Sequence, residues 1–199
     1  AYVFDHLREL TGVNREAATP EKQAKFREFA AKFAERAFRR PLESAEKLRY
    51  VDRQFEREGD PDLALKKSLL LVLKSPRFLY REPGHAKGDA YDVASRLAFT
   101  LWDAPPDAPL LDAAKAGKLA DRTEVHRQAE RMVGDLRAKA KVREFLLRWL
   151  RVDPAPDLAK DPGKFPELTP EVMADLRSSL EMTLDDIVWG ERSDYRDFL

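Results

Sequence analysis

The sequence has no cysteine among its 199 residues. Disulfides, cysteine-ligated zinc, iron–sulfur clusters, thiol catalysis and covalent attachment of a c-type haem are therefore excluded within this chain. The compartment stays open, because a helical domain of this size does not need disulfides even where oxidation is possible.

An excess of charge of one sign and a long apolar run are also missing. Lys plus Arg and Asp plus Glu number 36 each, so no global field favours nucleic acid, an acidic membrane surface or an acidic substrate. No apolar run approaches the roughly 20 residues that span a bilayer. The first ten residues also lack a basic start followed by an apolar stretch. We expect a soluble chain with no nucleic-acid partner, no membrane span and no export signal in the residues given.

The pattern that is present is helical throughout. Thr19-Pro20-Glu21 places an N-cap residue before proline, and phenylalanines and alanines then repeat at three- and four-residue spacing. Strand alternation is not sustained anywhere. We predict an all-α fold, a multi-helix array of about seven or eight helices with no sheet. The predicted helices span approximately residues 20–40, 44–58, 62–74, 91–102, 108–116, 122–133, 138–150 and 169–189.

The apolar positions of these helices predict which side chains form the core. The helix at 44–58 should turn Leu48, Val51 and Phe55 inward, and the helix at 62–74 is apolar nearly all round, which favours a central place. The helix at 138–150 carries an apolar stripe. Its members are Val142, Phe145, Leu146, Trp149 and Leu150. We predict that the three tryptophans are core anchors: Trp102, Trp149 and Trp189. Tryptophans exposed at the surface would instead suggest carbohydrate or partner binding.

The short stretch from Pro83 to Asp89 contains glycine and histidine and separates two parts of the chain. We predict an N-terminal three-helix segment at residues 1–83 and a C-terminal helical segment at 89–199, packed together on one core. Two lobes hinged at the linker are the alternative.

Glu181 and Asp185 are the candidate catalytic residues, and both are weak candidates. Four residues apart on the last predicted helix, they share a face and could form an acid–base pair, with Glu144 nearby, or half of a carboxylate metal site. The competing interpretation is a solvated acidic face with Arg177 as the i,i+4 partner. A di-iron bundle would need Glu-x-x-His motifs, which the sequence lacks. His85 in the linker could ligate haem or zinc but is more typical of a surface histidine, and no metal site is predicted.

A set of arginines forms the candidate partner-binding surface: Arg36, Arg39, Arg40, Arg77 and Arg81. Three of them lie at the C-terminal end of a predicted helix, where positive charge complements the helix dipole. The same side chains could bind a carboxylate or a haem propionate of a partner through charge-assisted hydrogen bonds.

Two groups of segments resemble known families. Arg36-Ala-Phe-Arg-Arg-Pro-Leu42 followed by Leu70-Leu-Val-Leu-Lys-Ser-Pro-Arg-Phe-Leu-Tyr-Arg81 resembles one planctomycete cytochrome-c-associated domain family of unknown function. Tyr91 to Trp102, with Pro105-Pro-Asp107, Gly117-Lys-Leu119, Arg131-Met132 and the segment from Phe145 to Leu150, is similar to a neighbouring family. The resemblance implies an exported multidomain protein with a periplasmic or cell-surface location and a link to c-type haem domains. It transfers no catalytic residue.

Taken with the resemblance, these patterns favour a non-catalytic helical scaffold or interaction module of an exported c-type-cytochrome-associated protein, with a place in an electron-transfer assembly. It would position haem domains or a protein partner through its arginine-rich helix ends and aromatic helix termini. We expect no cofactor in this chain, with haem c on companion domains or partners. The alternative is a hydrolytic or redox enzyme that uses Glu181 and Asp185.

Overall fold

The computed structural model describes residues 6–13, 19–80, 89–152, 161, 163–191, 194 and 196. The described part is helical and contains no strand, and eight of its helices have seven or more residues, which confirms the predicted all-α class. The helices are α1 (Leu7–Thr11), α2 (Thr19–Phe38), α3 (Ser44–Lys47, continued by a π-helical turn at Leu48–Asp52 and by Arg53–Arg57), α4 (Pro61–Leu73), α5 (Pro76–Leu79), α6 (Ala90–Trp102), α7 (Ala108–Lys115), α8 (Arg122–Val133), α9 (Leu136–Trp149) and α10 (Pro170–Trp189), with a 3₁₀ turn at Lys118–Ala120.

Helix starts follow the local sequence chemistry. The side chains of Asp60, Asp107 and Thr169 accept hydrogen bonds from backbone N–H groups in the first turns of α4, α7 and α10. Proline follows each cap within two residues, where its missing N–H costs no helical hydrogen bond.

The chain divides into two compact units. Unit 1 comprises Ala1–Thr100 and Ala104–His126, and unit 2 comprises Leu101–Asp103 and Arg127–Leu199. The predicted linker lies almost wholly outside the described residues, since only Asp89 of it is described. The division into segments 1–83 and 89–199 therefore stays a prediction.

The main core of unit 1 lies between α2, α3 and α4. Phe26 and Phe55 are fully enclosed there, each stabilising the fold by roughly 1.5–3 kcal/mol through its burial. Other buried members are Val13, Ala30, Ala34, Phe38, Tyr50, Val51, Ala64, Leu65, Leu69 and Val72. The predicted inward positions Val51 and Phe55 are confirmed.

The π-helical turn in the middle of α3 changes which residues face the core. Such a turn holds one residue more than an α-turn, so the consecutive residues Tyr50 and Val51 are both buried. The inward position predicted for Leu48 is wrong, because the widened turn leaves its side chain exposed. The hydroxyl of Ser68 on α4 donates to the carbonyl of Tyr50 at 2.6 Å and satisfies an acceptor within this turn.

In unit 2, α9 and α10 run antiparallel: Lys139 lies against Trp189, and Arg143, one turn later on α9, pairs with Asp185, one turn earlier on α10. Ala138 and Leu146 of α9 and Leu184 of α10 are buried. Of the other residues in the stripe predicted on α9, Val142 is half-buried. The core positions predicted for Phe145, Trp149 and Leu150 are wrong, because these side chains are exposed.

Candidate functional site

The candidate carboxylates Glu181 and Asp185 share one cation, Arg143 of α9. Arg143 Nε donates to Asp185 Oδ1 at 3.2 Å, and Arg143 Nη2 donates to Asp185 Oδ2. Arg143 Nη1 reaches Glu181 Oε2 at 3.4 Å. A planar guanidinium that binds one carboxylate through two nitrogens and a second through its third nitrogen fixes both acids in place.

This arrangement leaves little freedom for acid–base chemistry. The hydrogen bond from Arg143 to Asp185, followed by the charges of Asp185 and Glu181, raises the pKa of Arg143 above its usual range. The predicted partner of the acidic face was Arg177, whereas the cation that the structure gives to both carboxylates is Arg143. Glu144, the third acidic candidate, pairs with Arg148 one turn further along α9.

An open cleft of about 870 Å³ runs along α10, is also lined by Lys139 of α9, and includes Asp185. Its aromatic wall is Trp189, whose ring lies 5.4 Å from the ammonium nitrogen of Lys139. The lining residues are Lys139, Asp175, Ser178, Ser179, Met182, Thr183, Asp185, Asp186, Trp189 and Gly190. Within the described ranges, no group of three His, Cys, Asp or Glu side chains is placed to hold a metal ion.

Arg39 is buried rather than displayed. It ends α2 with a positive φ of 62°, and its side chain is only 5% exposed. Its guanidinium donates to the carbonyls of Arg77 at 2.8 Å, Tyr80 at 3.0 Å and Phe78 at 3.5 Å. Burial, followed by the charge of Arg40, lowers the pKa of Arg39 below its usual range. Arg39 therefore caps the C-terminal end of α5, whose carbonyls have no helical partner.

The other arginines of the predicted set differ in exposure. Arg40 binds two carboxylates at the start of α6, Asp89 at 3.0 Å and Asp92 at 2.9 Å. Arg77 pairs at 2.9 Å with Glu46, a buried residue of α3. Arg36 is exposed, whereas Arg81 lies outside the described residues, as does His85. Partner binding by this set stays a prediction.

The contribution that Asp89 and its partner Arg40 make to the stability of the fold depends on pH. Burial opposes its ionisation, but the N–H of Tyr91 at 2.7 Å, the Arg40 cation and the N–H of Asp92 outweigh burial and lower the pKa of Asp89. A carboxyl group whose pKa is lower in the folded state stabilises the fold above its unfolded pKa, about 4, and loses that effect as pH falls through the folded pKa.

We therefore expect Asp89→Asn, which keeps an N-cap side chain but removes the charge, to lower the free energy of unfolding by about 1 kcal/mol at pH 7. The difference from the parent protein should shrink as the pH falls below the unfolded-state pKa, about 4, and through the lower folded-state pKa. Urea unfolding across this range measures it. An equal difference at pH 7 and pH 2 would show that the charge of Asp89 is not the cause.

The three tryptophans divide between core and surface. Trp102 is buried and is a core anchor as predicted, and Trp189 is partly buried at the cleft. The core position predicted for Trp149 is wrong: Trp149 is 56% exposed and Phe145, one turn before it, is 62% exposed. Their rings lie nearly parallel, 8° apart in tilt, with centroids 6.5 Å apart. The i,i+4 spacing that predicts a core stripe also describes a surface ridge, so the sequence alone did not separate the two.

Two families match the chain. One, described as "PSD4: Protein of unknown function (DUF1592)", matches residues 89–199, and the other, "PSD5: Protein of unknown function (DUF1595)", matches residues 25–82. The predicted resemblance to two adjacent families of unknown function is confirmed, and neither description names an activity, a cofactor or a compartment. No curated protein and no solved structure gives a significant match.

Proposed function

This chain belongs to the PSD4 family, described as protein of unknown function (DUF1592), and we propose that it is a non-catalytic helical interaction module. Its setting would be an exported multidomain protein of the periplasm or cell surface that is associated with c-type cytochromes and takes part in an electron-transfer assembly. Haem c would reside on companion domains or partner proteins. The support for this setting is the resemblance of the segments quoted above to cytochrome-c-associated families.

The observation that carries the interaction role is the exposed aromatic pair Phe145 and Trp149. Large aromatic side chains dominate the energy of protein interfaces, and a Trp beside an Arg is typical of interface hot spots. Arg148 lies between the two rings in sequence and is itself exposed. Two neighbouring rings left more than half in water offer apolar area that binding can cover.

The hydrogen bonds that Asp185 and Glu181 accept from Arg143 support a non-catalytic role. A general acid or base must exchange a proton with a substrate at hydrogen-bonding distance. Arg143 already occupies both oxygens of Asp185 and one of Glu181. Asp185 could therefore act only after this guanidinium is displaced, whereas Arg143 leaves Oε1 of Glu181 unbound.

A hydrolytic or redox enzyme that uses Glu181 and Asp185 is the second candidate, and the observation in its favour is that Asp185 lines the open cleft. The variant Asp185→Asn distinguishes the two functions. If the chain is an enzyme, this variant loses turnover. If the chain is an interaction module, the variant keeps its affinity for a partner.

We expect the purified chain to bind a soluble c-type cytochrome saturably, and the double variant Phe145→Ser/Trp149→Ser to bind it at least 30-fold more weakly, on the order of 2 kcal/mol in binding free energy. Surface plasmon resonance with the immobilised cytochrome measures both affinities. Leu176→Ser is the matched control, since Leu176 is an equally exposed apolar residue of unit 2, on α10.

Equal affinity of the parent and the double variant would contradict a docking role for the aromatic pair. Absence of any binding to the cytochrome would remove the proposed partner class. Circular dichroism of each variant confirms that the helices are retained, so that a loss of affinity reflects the surface and not the fold.

A further inference from the structure

The outer side of α4 exposes three leucines, Leu63, Leu70 and Leu73. At 100° per residue these three lie within about 80° of one another around the helix. Lys66 and Lys74 fall on the same side and are also exposed. The opposite side of α4 carries its buried residues, Ala64, Leu65, Ser68, Leu69 and Val72.

The chain directly after α4 continues this exposed apolar character. Leu79 and Tyr80 are 62% and 65% exposed, among the highest values of any large apolar side chains described. Their position is fixed, because Arg39 binds the carbonyl of Tyr80 from within unit 1. We call the set Leu63, Lys66, Leu70, Leu73, Lys74, Leu79 and Tyr80 the basic apolar face.

The charged side chains within residues 63–81 all have one sign. Residues 63–81 include five basic residues and no acidic one. Over the wider segment 25–82 there are 15 basic and 10 acidic residues, against 17 and 22 in 89–199, so the neutrality of the whole chain hides two segments of opposite charge. Lys67 pairs with Glu58 and Arg77 with Glu46, whereas Lys66 and Lys74 take part in no ion pair within the described part of the chain.

We propose that the basic apolar face binds the surface of an anionic phospholipid bilayer. Leucine and tyrosine side chains enter the boundary between headgroups and acyl chains, while lysines extend their apolar stems and place the ammonium groups at the phosphates. The outer side of a single helix is convex and suits a planar surface, whereas a helical peptide partner requires a groove. The contact is peripheral, since none of the described helices is both long and apolar enough to cross a membrane.

Co-sedimentation of the full chain with vesicles tests this assignment. We expect binding to vesicles of equal parts phosphatidylglycerol and phosphatidylcholine at 50 mM salt, at least tenfold weaker binding to pure phosphatidylcholine, and release at 500 mM salt. The double variant Lys66→Gln/Lys74→Gln should bind the anionic vesicles at least tenfold more weakly. Leu79→Ser/Tyr80→Ser should weaken binding to both kinds of vesicle.

The matched control is Lys115→Gln/Lys118→Gln, which removes two exposed lysines elsewhere in unit 1 and should leave vesicle binding within twofold of the parent. Failure to sediment with anionic vesicles at 50 mM salt overturns the proposal. Equal losses in the test and control variants also overturn it, because they would reflect net charge alone. Binding to poly-glutamate without binding to vesicles would assign the face to an acidic protein instead.

Discussion

Replacing Arg39 with methionine is expected to lower the free energy of unfolding by about 3 kcal/mol. The substitution leaves the carbonyls of Arg77, Phe78 and Tyr80 without their donor. These acceptors are partly buried, so each lost hydrogen bond is expected to cost about 1 kcal/mol, at the lower end of the range for an unmet acceptor. The variant also loses the guanidinium that lies 5.5 Å from the ring centroid of Phe99. Burying this cation has a desolvation cost, which also lowers the pKa of Arg39, so relief of that cost makes the net effect smaller than the sum.

Two other variants separate the hydrogen bonds of Arg39 from its charge. Arg39→Lys keeps a cation but loses the fork of nitrogens that reaches several carbonyls, and we expect about half the destabilisation. Arg36→Met removes an exposed arginine from the same helix and should change the free energy of unfolding by less than about 0.5 kcal/mol. Urea unfolding followed by far-ultraviolet circular dichroism compares the three. Equal stability of Arg39→Met and Arg36→Met would refute the capping role.

Local sequence rules predicted most of the helices. Cap residues, prolines and three- and four-residue spacing are properties of neighbouring residues, so the starts of α4 and α10 were predicted within two residues. The π-helical turn in α3 was not predicted, and the hydrogen bonds of Tyr50 within it are made to Ser68 and Ser75, which are distant in sequence.

The role of Arg39 depends on contacts that are distant in sequence. Its position at the end of α2 predicts an interaction with the helix dipole, but its main acceptors lie 38 to 41 residues further along the chain. The same limit applies to Arg143, whose partner Asp185 is 42 residues away on another helix. Pairings of this kind depend on how helices pack, and a single sequence carries no local pattern for them.

The overall composition did not reveal how charge is distributed along the chain. Equal numbers of acidic and basic residues predicted no net electrostatic field over the whole molecule, yet residues 63–81 contain no acidic side chain. The apolar pattern of α4 correctly indicated a helix central to unit 1, but three of its leucines are exposed. Hydrophobicity on all sides of a helix can therefore mean one buried side and one side available for binding.

Replacing Trp102 with alanine is expected to lower the free energy of unfolding by about 3–5 kcal/mol. The indole is 4% exposed, and its Nε1 donates to the carbonyl of Met132 at 2.8 Å near the end of α8. The guanidinium of Arg137 lies 3.5 Å from the ring centroid and that of Arg131 lies 5.6 Å from it, so the ring also interacts with two cations.

Trp102→Phe removes the hydrogen bond and part of the ring but keeps an aromatic side chain in the core, and it should cost less, about 1–2 kcal/mol. The carbonyl of Met132 keeps its second donor, the N–H of Asp135 at 3.1 Å. Trp149→Ala is the matched control, since the exposed indole of Trp149 contributes little burial; we expect a change below about 1 kcal/mol. Urea unfolding followed by tryptophan fluorescence measures all three, with Trp102 expected to emit at the shorter wavelength. Equal effects of Trp102→Ala and Trp149→Ala would mean that Trp102 does not anchor unit 2, whereas the expected difference would establish Trp102 as a core residue and Trp149 as a surface residue.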